Sequence, residues 1–91
     1  DIDIAVLNNF VNYLAEKYTA TSEIQLILQT CGLKRGGFKF HGVTAQMIWM
    51  EIFSAIAHNH EDLNRLMKYL RQEKPESGEI IEMCKSINLE V

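Results

Sequence analysis

TAQMIWMEIFSAIAH, Thr44 to His58, is the most apolar run in the chain, and its reading decides the fold class. At about 100° per residue, Trp49, Ile52, Phe53 and Ile56 fall on one helical face, with Ala45 beside them. Ile48, Met50 and Ala57 widen that face until only Thr44, Glu51, Ser54 and His58 form a polar wedge. A helix apolar around most of its circumference has to be covered on most sides, so this segment reads as the central helix of a bundle. Thr44 is placed to accept backbone N–H groups as N-cap, with Val43 before it as a hydrophobic staple.

The 91 residues are enough for one domain with one core. At 47% apolar and 23% charged, the chain has the composition of an ordered globular protein. Nine basic residues against twelve acidic leave a formal charge of −3, which disfavours a dedicated nucleic-acid binder. No apolar run approaches the roughly 18 residues of a membrane span, and no signal peptide is visible. The chain opens at Asp1 rather than methionine, as a fragment of a longer protein would. Cys31 and Cys84 both fall on apolar helical faces. They read as buried free thiols of a reducing cytoplasm, with a Cys31–Cys84 disulfide as the alternative that their separation decides.

Outward from the central segment, the same periodicity recurs. Ile4, Leu7, Val11, Leu14 and Tyr18 mark a first helix from about Asp3 to Tyr18, broadened by Val6, Phe10 and Tyr13. Asp1 and Asp3 suit the positive end of its dipole. Ser22 with Gln25 resembles a capping box opening a second helix, with Ile24, Ile27, Leu28 and Cys31 inward and Gly32 as left-handed C-cap. Leu33 to Val43 is the least helical part. Gly36-Gly37 supplies a turn, one or both of Phe38 and Phe40 pin the loop to the core, and Lys34 to Gly42 is expected to be the most mobile internal segment. His58-Asn59-His60 forms a joint, and Leu63, Leu66, Met67 and Leu70 are the inner face of a fourth helix ending near Glu73. Pro75 stops it. Ser77 then N-caps a fifth helix with Ile80, Met83, Cys84 and Ile87 inward. The pattern is all-α: five helices, short connections, and one longer loop between the second and third.

Catalytic patterns are missing from the sequence. Gly36-Gly37 has neither the following lysine-serine pair nor the preceding strand of a phosphate loop. His41, His58 and His60 with the two cysteines match no zinc spacing. Ser54 and Ser86 have no nucleophile elbow, and Glu76, Glu79 and Glu82 point to solvent rather than forming a buried acid–base pair. Neither catalytic residues nor cofactor or metal ligands are assigned.

The charge layout is the more informative feature. Arg65, Lys68, Arg71 and Lys74 recur at three-residue steps on the fourth helix, and Glu76, Glu79 and Glu82 recur at the same step on the fifth. A single such stripe reads as a solvated face. Two opposite stripes on adjacent helices, with Lys34 and Arg35 adding positive charge, make a dipolar surface suited to head-to-tail docking. Lys68 and Arg71 lie outside the expected core, so reversing both to glutamate is expected to abolish association and leave the fold intact. An apolar surplus near Met47 and Met50, on the flank of the central helix, is the alternative docking surface.

The order of features resembles a known family. Ile27-Leu28, Cys31-Gly32-Leu33 and Phe40-x-Gly42 lead into Trp49-x-x-Ile52-Phe53-x-x-x-Ala57, Leu63-x-x-Leu66-Met67 and Glu73-Lys74-Pro75-x-Ser77. This run, covering about Leu14 to Ile81, is similar to the effector-associated domains of bacterial conflict systems. The resemblance implies a compact, death-domain-like bundle of five to six helices. It also implies an adaptor role in defence signalling, in which a domain on one protein recruits an effector through a similar domain on another or through self-association. In that family an asparagine often follows the proline by two, and Ser77 keeps its capping chemistry here. A DNA-binding or regulatory domain that reads through Arg65 to Lys74 is the alternative, and a small enzyme or zinc protein the third reading.

Overall fold

The computed structural model describes residues 3–33, 42 and 44–88. They form five helices: α1 (Ile4–Lys17), α2 (Thr21–Cys31), α3 (Ala45–Ile56), α4 (His60–Glu73) and α5 (Gly78–Ser86). No strand occurs among the described residues. No helix among them is long and apolar enough to cross a membrane. Residues 34–41 and 43 lie outside the described set, so the expectations for Lys34, Arg35, Phe38, Phe40 and the mobility of that loop do too.

Local chemistry explains most of the boundaries. Asp3 Oδ1 accepts the Ala5 N–H at 2.8 Å, Thr44 Oγ1 that of Met47 at 3.2 Å, Asn59 Oδ1 that of Asp62 at 3.1 Å, and Ser77 Oγ that of Ile80 at 3.3 Å. Each satisfies one of the orphan donors at a helix start. Gly32, at φ 77°, ends α2 in a Schellman turn: its N–H donates to Gln29 O at 3.1 Å, and Leu33 N–H reaches Leu28 O at 2.9 Å. The start of α2 corrects the expected capping box at Ser22 and Gln25. The chain turns helical at Thr21 behind Ala20, which offers no side-chain cap. Ile24 N–H already bonds Ala20 O at 3.1 Å, so Ser22 has no cap position to fill.

The core joins all five helices. Helix α1 packs on α3 and α5, while α4 packs on α2, α3 and α5. At the centre is an aromatic chain. Phe10 meets Phe53 edge-on at 5.6 Å, Phe53 lies 6.4 Å from Trp49, and Trp49 lies 6.1 Å from Tyr18. Trp49 is fully buried, and its indole N–H donates to Tyr18 O at 3.3 Å. That bond satisfies the ring nitrogen and ties α3 to the end of α1. Every buried residue among those described is apolar or aromatic, Cys84 included.

Two expectations about coverage change. Among the described residues α3 is covered by α1 and α4, not on most sides: Gln46, Met47, Glu51, Ser54 and Ala55 are exposed, and Met50 is half-buried. Ile4, placed on the inner face of α1 by its spacing, is 73% exposed, with no other helix packed over it among the described residues.

Candidate interaction surfaces

The four cations of α4 separate into two pairs. A step of three residues falls about 60° short of a full helical turn, so four residues at that step wind through half the circumference. Arg65 and Lys68 remain exposed beside α2, where they border a shallow hollow with Thr30, Cys31, Tyr69 and Gln72. Arg65 pairs within its own helix, to Glu61 at 2.5 Å and Asp62 at 3.3 Å. These are the only ion pairs among the described residues, so Lys68 carries its charge without one.

Arg71 and Lys74 turn back onto the chain. Arg71 is half-buried, its guanidinium donates to the Pro75 carbonyl, and its Nε is buried without a partner. The Lys74 ammonium sits 5.4 Å from the centre of the Tyr18 ring, a cation–π contact that closes the end of α4 over α1. This corrects the expectation for Arg71, whose side chain is partly packed, while Lys68 is exposed as expected. Reversing Arg71 removes a structural contact, whereas reversing Lys68 does not.

The acidic residues keep more of their expected arrangement. Glu76 is exposed in the turn before α5, and Glu79 and Glu82 are exposed on α5 itself. Glu79 and Glu82 edge a groove between α1 and α5 that is lined otherwise by Val6, Asn9, Phe10, Gly78, Ile81 and Met83. The groove has an apolar floor and two carboxylates on one rim. Its α1 side is held to the start of α5 by the Tyr13 hydroxyl, 2.7 Å from Ser77 Oγ, the same oxygen that caps α5.

Two apolar features of the surface escaped the charge-based reading. Leu26 is 59% exposed on α2, one turn before Thr30, whose hydroxyl donates to the Leu26 carbonyl at 2.8 Å. Ile81 follows the buried Ile80 and faces the groove. The signal for both was an apolar residue standing off its helix's inner face. The flank of α3 is a third apolar patch, with Met47 56% exposed beside Met50.

The titratable groups inside are held neutral. Burial raises the Cys31 thiol to about 11, and burial raises Cys84 despite the opposing pull of Arg71. Both are free thiols, Cys31 half-buried and Cys84 buried, and as protonated thiols at neutral pH they are poor nucleophiles. Burial, reinforced by Glu73, also raises the Tyr18 and Tyr69 hydroxyls. His58 and His60 line a hollow with Ser86 and Asn88 at the end of α5. No cluster of three or more potential metal ligands occurs among the described residues. Comparison with protein-family models, curated proteins and solved structures finds no match to this chain.

Proposed function

We propose that the chain is a non-catalytic adaptor domain with a death-domain-like arrangement, recruiting an effector in bacterial defence signalling by pairing with a similar domain. One observation carries this reading: surfaces of opposite character lie at different edges of the bundle. The α1/α5 groove has Glu79 and Glu82 on its rim, while the α2/α4 edge presents Lys68 without an ion-pair partner among the described residues, beside Arg65, which is paired to Glu61 and Asp62. Opposed potentials of this kind steer encounter and fix orientation between domains. The family resemblance supplies the defence context.

The test is a titration of the chain against small helical domains of candidate partners and, separately, against a random DNA duplex. The adaptor reading expects saturable 1:1 binding to a domain that weakens as salt rises, and no duplex binding. Duplex binding with a steep salt slope, and no domain bound, overturns it in favour of a nucleic-acid role.

A further inference from the structure

We infer that the α1/α5 groove is a docking site for a second copy of this chain, which enters with its α2/α4 edge. The inference rests on the adaptor reading and adds the two surfaces and their occupant. The groove combines an apolar floor from Phe10 and Met83 with the rim carboxylates Glu79 and Glu82. Neither carboxylate has an ion-pair partner among the described residues, where both ion pairs belong to Arg65.

The same chain carries the complement. On α2, Leu26 projects as an exposed apolar side chain. Thr30, one turn further on, shares its hollow with Lys68 and Arg65 of α4. The apolar knob Leu26 on α2 and the cations Lys68 and Arg65 on α4 complement the groove's apolar floor and its rim carboxylates. Groove and knob belong to different helix pairs, so each molecule offers one to each of two neighbours. The contact is therefore heterologous, and repeated copies extend head-to-tail unless the rotation closes a ring.

Two variants separate this from other modes of association. Leu26→Asp/Lys68→Glu spoils the knob and leaves Arg65 with its helical partners, whereas Glu79→Lys/Glu82→Lys reverses the rim. All four positions are exposed, and circular dichroism verifies that each variant keeps its helices. Light scattering over a concentration series should show the unaltered chain growing beyond a dimer and each variant remaining a monomer. An equimolar mixture of the two variants should stop at a dimer, because one intact groove meets one intact knob. Association that persists in either variant, or a mixture that remains monomeric, overturns the inference. An unaltered chain that stays monomeric also overturns it, while its binding to a partner domain would leave the adaptor reading standing.

Discussion

Helices α3 and α4 use apolar residues in opposite ways. Nine of the twelve residues of α3 are apolar, yet five are buried and the helix packs on two others. Only five of the fourteen residues of α4 are apolar (Leu63, Leu66, Met67, Tyr69 and Leu70), yet four are buried and the helix packs on three others. A narrow apolar stripe with everything polar on the far side directs a helix into the core more completely than a broad one. The surplus on α3 is surface. Total apolarity therefore identified the helix that carries the aromatic centre, and concentration of the apolar residues identifies the hub of the packing.

The largest expected effect tests the aromatic centre. Trp49→Ala should cost about 3–5 kcal/mol, because it opens a cavity in a fully buried site and leaves the Tyr18 carbonyl without its indole donor. Chemical denaturation measures this directly. A loss below about 1 kcal/mol would place Trp49 outside the packed core. Leu66→Ala in α4 should cost about 2–5 kcal/mol. Were it to cost only a few tenths, α4 would not be the hub and the contrast between the helices would fail.

These two positions also show how far the sequence could be read. Periodicity placed Ile24, Ile27, Leu28, Leu63, Leu66, Met67, Leu70, Ile80, Met83 and Cys84 on inner faces, and all are buried. That reading works because a 3.6-residue helix converts spacing into direction. The charged positions were less legible for the same geometric reason. Arg65 and Arg71 stand at equivalent steps in the sequence, yet one is exposed beside α2 and the other reaches the Pro75 carbonyl. Which helix lies beside each is a tertiary fact that spacing along one helix does not contain. The cap of α2 was misplaced because Ser22 and Gln25 satisfy the capping pattern locally, while the preceding turn had already begun at Thr21.

A smaller effect belongs to the joint between α1 and α5. Ser77→Ala removes both the cap of α5 and the acceptor or donor for the Tyr13 hydroxyl, and should cost about 1 kcal/mol. Tyr13→Phe leaves the ring packed and the cap in place, so it should cost no more than about 0.5–1.5 kcal/mol. The double variant should cost less than the sum, because both single changes break the same bond. Strict additivity would mean that the hydroxyl of Tyr13 and the cap of Ser77 act independently.

The smallest expected effect is on the open flank of α3, where the comparison between the two helices is sharpest. Met47→Gln should change stability by no more than about 0.5 kcal/mol, since Met47 is 56% exposed and no helix packs over it among the described residues. The substitution keeps a long, unbranched, helix-compatible side chain and removes most of its apolar character. It leaves Thr44, whose hydroxyl caps the Met47 backbone N–H, unaffected, because that bond uses no side-chain atom of residue 47. Association should also be unchanged if copies dock through the α1/α5 groove. A variant that keeps its stability but loses association would move the docking surface to the α3 flank. The broad apolarity of α3 would then serve a partner rather than the core.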